Sequence, residues 1–191
     1  MKNDIVLAGV GGQGILSIST VIGQAALNNN LYIKQSEVHG MSQRGGAVYA
    51  HLRLSDRPIY SDLIPLCGAD LVLSVEPMEA LRYLPYLKSD GWLVTNIHSF
   101  VNVGNYPDSK LLMAQLKKLK NSILIDADAI AADCGNKKAS NMVMLGAAIP
   151  FINIEIDDLK KAISAIFEAK GADTVTMNIR ALLAGYKETG R

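Results

Sequence analysis

The chain has only two cysteines, Cys67 and Cys134, which lie far apart and form no CxxC pair. An iron–sulfur cluster needs a set of neighbouring thiolates, so no cluster site is expected in this chain alone. Such sparing use points to a reducing cytoplasm, with each cysteine a small buried hydrophobe rather than a nucleophile. Histidine is nearly as scarce: of three, His51 and His98 have no neighbours at ligand spacing, so no metal site is expected. Neither sign of charge is in excess, with Lys+Arg 19, Asp+Glu 18 and a formal net charge of +1. That balance removes any electrostatic case for nucleic acid or an anionic membrane surface. No apolar run is long enough to cross a bilayer, and Asp4 and the glycines behind it interrupt what would be a signal-peptide core. The sequence also shows no repeats, low-complexity stretches or linkers.

What is present suits one sizeable core: 49% of the 191 residues are hydrophobic, and a single domain over residues 1–191 is expected. Residues 4–8 read as a buried strand of the parallel kind, followed by glycines and a helix that "NNN" at 28–30 stops. A second strand is expected over 31–35, then a polar, glycine-rich loop over 36–47. The alternation in "AVYAHLRLS" predicts a half-solvated, antiparallel strand over 47–55. Further strands are expected at 69–75, 91–96 and 122–126. Glu76-Pro77 opens a helix that runs through Leu87, with Pro85 bending its end. Helices follow over 111–119, 127–132 and 141–149. Asp157 and Thr174 are read as the caps of the last two, the final one turning Val175, Ile179, Leu182, Leu183 and Tyr186 inward. The pattern predicts an α/β fold: a Rossmann-like, open, mostly parallel sheet with one or more antiparallel strands, helices on both faces and a helix-rich C-terminal third.

"GVGGQG" at 9–14 has the spacing Gly9-x-Gly11-x-x-Gly14 of a dinucleotide-binding turn. Glycines allow positive φ and close approach, so free N–H groups at a helix start can face a phosphate or carboxylate. The alternative is a tight strand–helix junction in which the glycines only permit packing. A nicotinamide cofactor also wants an acid about 20 residues further on. Lys34 stands there instead, and Glu37 falls in the expected loop. A lysine could meet a 2′-phosphate, but a surface lysine needs no such purpose.

The stretch "SEVHGMSQRGG" crowds Glu37, His39, Ser42, Gln43 and Arg44 between glycines, as a recognition loop on a rigid sheet would. Arg44 before Gly45-Gly46 offers a planar cation beside open backbone. Glu37 and His39 could pair as acid and base, or Glu37 could simply hold Arg44. Asp126, Asp128 and Asp133 suggest magnesium or, more simply, helix caps. "LKKLK" at 116–120 reads as a solvated helix face.

Four blocks, in order, carry a resemblance: "GVGGQGILS", "SEVHGMSQRGGAV", "GADLVLSVEPMEALRYLPYLKSDGWLVTN" and "CGNKKASNMVMLGA". Together they resemble the gamma-type subunits of 2-oxoacid:ferredoxin oxidoreductases, over roughly residues 4–150. The form of residues 37–46 is most like the indolepyruvate branch. The resemblance implies a subunit of an enzyme that oxidatively decarboxylates aryl-pyruvates to arylacetyl-CoA and passes the electrons to ferredoxin. It places thiamine diphosphate, Mg2+ and [4Fe–4S] clusters on an alpha subunit. This chain has no Gly-Asp-Gly motif with a following asparagine pair that would hold thiamine diphosphate. By the same resemblance Gly9, Gly11, Gly12, Gln13, Gly14 and Arg44 would contact coenzyme A. Glu37, His39, Gly40, Ser42, Gln43, Gly45 and Gly46 would face the alpha subunit. No catalytic residue is expected in this chain, His39 being the one weak candidate. Two other readings stay open: a stand-alone NAD(P)- or flavin-dependent oxidoreductase, and a purely structural subunit whose apolar face Met41, Met142 and Met144 could supply, although core packing is the readier use of the two helix methionines.

Overall fold

Residues 1–40, 45–101 and 103–190 are described by the computed structural model. β1 (Lys2–Val10) is buried from Asn3 to Val10, as an apolar run without polar alternation requires when both faces are covered. The remaining strands are β2 (Tyr32–His39), β3 (Ala47–Ser55), β4 (Ala69–Ser74), β5 (Leu87–Asn96) and β6 (Ser122–Ile125). They form one six-stranded sheet in the order β2-β3-β1-β4-β5-β6. β1, β4, β5 and β6 are parallel. β3 alone runs the other way, paired with β1 from Lys2↔Ser55 to Val10↔Ala47 and with β2 from Tyr32↔Ser55 to His39↔Val48.

The helices are α1 (Ile15–Asn28), α2 (Pro77–Tyr83), α3 (Ser109–Leu116), α4 (Ala127–Asp133), α5 (Ser140–Ala148), α6 (Ile156–Phe167) and α7 (Ala172–Glu188). One face of the sheet presents Ile5, Leu7, Leu52 and Leu73 to α1 and the C-terminal helices. The other presents Val6, Ala8, Val72 and Leu93 to Ala80 and Tyr83 of α2 and Leu116 of α3. Helices thus lie on both faces, and the last third is helical as expected. Among the described residues no helix is long and apolar enough to cross a membrane.

Several local expectations need correction. Residues 36–39 continue β2 instead of opening a loop, because pairing with β3 supplies the backbone partners that polar local sequence does not suggest. The second face of β3 is not half-solvated. Tyr49 packs on Tyr83 and His51 on Tyr86, and the segment between β3 and β4 crosses over them, Ile64 N–H donating to His51 Nδ1 at 3.0 Å. Burial there pushes the His51 pKa down, with the Arg53 charge adding to the effect. Leu87 starts β5, since α2 stops at Tyr83 and Pro85 sits in a single 3₁₀ turn. The last two helices begin earlier than read: Glu155 and Gly171, not Asp157 and Thr174, stand at their N-caps, and Leu183 is exposed. Cys134 is buried, but Cys67 is exposed, in a turn where its φ is 56°. Met142 and Met144 are fully buried, in line with core packing of the helix methionines, while Met41 lies outside the described residues.

Candidate functional site

The glycine turn joins β1 to α1, and its glycines do different work. At Gly9 a Cβ would stand 2.3 Å from Val75 Cγ2, so the residue permits the close packing of β1 on the segment after β4. Gly12 has φ +100° with nothing within 4 Å of a built Cβ, so the backbone conformation alone requires glycine. Gly14, at φ +78°, is the N-cap of α1, and its Cβ would meet Asn141 Nδ2 at 2.4 Å. That amide donates to Gly14 O at 3.2 Å, tying the turn to α5.

Not all the N–H groups of the turn are free. Gly11 N–H donates to Gly46 O at 2.8 Å, and Gln13 N–H to Val10 O at 3.1 Å. Gln13 in turn accepts Val10 N–H through its side chain at 2.8 Å. Among the described residues, the N–H groups of Gly12 and Gly14 donate to none. The first turn of α1 carries no acid and no side-chain cap, so its positive end is left for an anion.

Two clefts flank the turn, and Gly12 and Gly14 line both. The larger, about 480 Å³, lies beyond the C-terminal ends of β4 and β5, where open α/β sheets bind ligands. Asn96, at the end of β5, donates to Asp128 Oδ2 at 2.9 Å and accepts Ala127 N–H at 3.1 Å. Asp126 caps α4 through Ala129 N–H at 2.8 Å and sits 2.9 Å from His98 Nε2. These acids serve as caps and braces. Among the described residues no three His, Cys, Asp or Glu side chains gather as a metal site. The outer wall, His98 to Phe100, is fastened from below by Glu76. This fully buried carboxylate caps α2 through Glu79 N–H at 2.9 Å and accepts Phe100 N–H at 3.3 Å and the Tyr106 hydroxyl. Burial and the Glu76 carboxylate together raise the Tyr106 pKa, so the phenol stays a donor. Lys137 and Lys138, on a short turn before α5, supply the cleft's cations.

The smaller cleft, about 330 Å³, is apolar, with Val10, Ile15, Leu16 and Val48 around the turn and His39 at its edge. His39 Nε2 lies 3.2 Å from Glu37 Oε1, and Glu37 Oε2 accepts Gln35 Nε2 at 3.1 Å. Both members of the pair are substantially exposed at the end of the edge strand. Gly40 N–H closes on Ala47 O at 2.8 Å, and Gly45 takes φ +83° beside Gly46. The structure therefore brings Gly9, Gly11, Gly12, Gln13, Gly14, His39, Gly45 and Gly46 into one neighbourhood, with Glu37 and Gly40 at its rim. Ser42, Gln43 and Arg44 lie outside the described residues. Lys34 lines neither cleft and is five residues back along an extended strand, about 17 Å from His39. Because β3 stands between β1 and β2, the ribose corner of a nicotinamide fold is not formed beside the turn.

The sequence reads Glu76 as the opening of α2 but assigns no site role to it or to Asn96, Tyr106, Lys137, Lys138 and Asn141. The last three carry one visible signal, the polar "GNKKASN" ahead of the apolar α5.

A mostly parallel open sheet with a reversed strand beside its glycine turn defines a Rossmann-like α/β fold. Residues 4–188 match the family model for pyruvate ferredoxin/flavodoxin oxidoreductase, and the chain belongs to that family. It is 32% identical to indolepyruvate oxidoreductase subunit IorB from Archaeoglobus fulgidus, covering 98% of this chain and 96% of that one. Among solved structures it resembles the gamma subunit of a keto/oxoacid ferredoxin oxidoreductase from Geobacter sulfurreducens, with a TM-score of 0.72 at 22% identity and 98% of each chain covered. It also resembles 2-oxoglutarate:ferredoxin oxidoreductase from Magnetococcus marinus, solved with 2-oxoglutarate, coenzyme A and succinyl-CoA bound. There the TM-score is 0.78 at 21% identity, over 99% of this chain and 31% of that longer one.

Proposed function

We propose that this chain, as one gamma-type domain over residues 1–191, is the non-catalytic subunit of an indolepyruvate:ferredoxin oxidoreductase. The assembly oxidatively decarboxylates indolepyruvate and other aryl-pyruvates to arylacetyl-CoA, in the cytoplasm. The near-full-length identity to a subunit of that name carries the reading. An alpha subunit brings the thiamine diphosphate, Mg2+ and [4Fe–4S] clusters that supply decarboxylation and electron transfer to ferredoxin. Two distant cysteines fall short of the thiolate set that a [4Fe–4S] cluster needs, which supports that division.

The chain's own part is to hold coenzyme A. The N–H groups of Gly12 and Gly14, unpaired among the described residues, and the positive end of α1 suit a pyrophosphate, and the sequence offers Arg44 as a planar cation. Glu37, His39, Gly40, Ser42, Gln43, Gly45 and Gly46 are assigned to the contact with the alpha subunit and its active-site mouth. Gly14→Val is a poor probe, since its side chain collides with Asn141 before any ligand arrives. Gly12→Ala meets no atom within 4 Å, but at φ +100° its side chain strains the turn, so its kinetics are read only where melting temperature and assembly match the native enzyme. In the assembled enzyme Gly12→Ala should raise KM for coenzyme A about tenfold and leave KM for indolepyruvate unchanged. An unchanged KM for coenzyme A, in an enzyme that assembles normally, would remove the turn from the binding site.

A further inference from the structure

The glycine turn separates two clefts of opposite character, and coenzyme A has two ends of opposite character. One end is a phosphorylated nucleotide; the other is an uncharged pantetheine arm carrying the thiol. We propose that the turn fixes the direction in which the molecule lies. The 3′-phospho-ADP end occupies the larger cleft, with its 3′-phosphate on Lys137 and Lys138, and the pantetheine arm runs through the smaller cleft past His39. This assignment rests on the coenzyme A reading above and adds an orientation to it.

Charge decides which end goes where. Among the described residues neither Lys137 nor Lys138 has an ion-pair partner, and both stand exposed at the cleft. Their backbone is fixed: Asn136 accepts Lys138 N–H at 3.1 Å, and the next residue, Ala139, is buried in the core. Among the described residues one acid, Asp128, lines the same cleft, braced by Asn96 at 2.9 Å, so its two lysines outnumber it and the balance of charge facing the space is positive. Phe100, 44% exposed on the outer wall, offers a flat apolar surface to a purine. At about 480 Å³ the cleft falls within the ordinary range for ligand pockets. The smaller cleft is the wrong place for the nucleotide. Its described lining is four aliphatic side chains, glycine backbone and His39, where a phosphate dianion would lose water without a fixed cation to meet it. An arm of methyls and amides loses little there. Between the two, the N–H groups of Gly12 and Gly14 meet the pyrophosphate as it crosses the turn.

Dephospho-CoA, which lacks only the 3′-phosphate, provides the test. In the assembled enzyme, Lys137→Ala/Lys138→Ala should raise KM for coenzyme A roughly tenfold to a hundredfold and leave KM for dephospho-CoA where it was. The native preference for coenzyme A over dephospho-CoA should vanish by the same factor. Lys137→Arg/Lys138→Arg should restore most of it. An equal rise for both would mean the lysines act on folding or assembly, overturning the proposal. No change for either, with Gly12→Ala still raising both, would overturn the orientation while coenzyme A binding stands. If Gly12→Ala also changes neither, the coenzyme A reading itself fails.

Discussion

Asp4 is a carboxylate 1% exposed at the start of the central strand, a position that burial alone would make costly. Burial pushes its pKa up, but the Arg53 guanidinium, on its two oxygens at 2.8 and 3.2 Å, and the Lys2 ammonium at 2.8 Å outweigh that and hold it below the usual carboxylate range. A carboxyl with a depressed folded pKa contributes stability that is complete above its unfolded value, about 3.9, and is lost as pH falls through the folded value. Acid titration followed by circular dichroism should therefore find Asp4→Asn losing less stability below about pH 4 than the native chain does. Near neutral pH, Arg53→Ala should cost about 3 kcal/mol in urea denaturation, because it leaves the buried carboxylate with only the exposed Lys2 ammonium for a charge partner. A loss below about 1 kcal/mol would show that water reaches Asp4. None of this is legible locally: Arg53 is 49 positions away, and it also donates to Ser61 O and Leu63 O, fastening the segment that covers β3. Asn141, which braces Gly14 from 127 positions away, was invisible for the same reason.

At the scale of elements, the strand–turn–helix opening was readable because its signals are local: an unbroken apolar run, three glycines and a helix-spaced stripe. β2 was cut short because its last residues, Ser36 to His39, owe their extended form to β3 across the hairpin. The larger cleft was missed because a strand end, a loop and a 3₁₀ turn build it, and they meet only through the parallel order β4-β5-β6. Helix packing sharpens one expectation. α5 and α7 approach so closely that a Cβ at Gly146 would lie 2.0 Å from Leu182 O, and one at Gly185 1.9 Å from Val143 O. Gly185→Ala should thus force the helices apart and cost about 1–3 kcal/mol or more. Gly104→Ala, with nothing within 4 Å of its Cβ, should stay within about 0.5 kcal/mol. Equal effects from the two in chemical denaturation would contradict the close helix contact.

For the molecule as a whole, the central claim is that a chain with a ligand turn and few cysteines works as part of a larger redox enzyme. Its described architecture suits that part: a six-stranded sheet with two clefts flanking its glycine turn, and His39 at the end of the edge strand lining one of them. The most direct measurement is anaerobic affinity purification of the tagged chain from its native host, with an absorption spectrum and a viologen assay of what comes with it. The account predicts a larger, brown partner whose complex reduces viologen only when indolepyruvate and coenzyme A are both supplied. A colourless chain recovered alone, and stabilised by NAD or FAD, would contradict it.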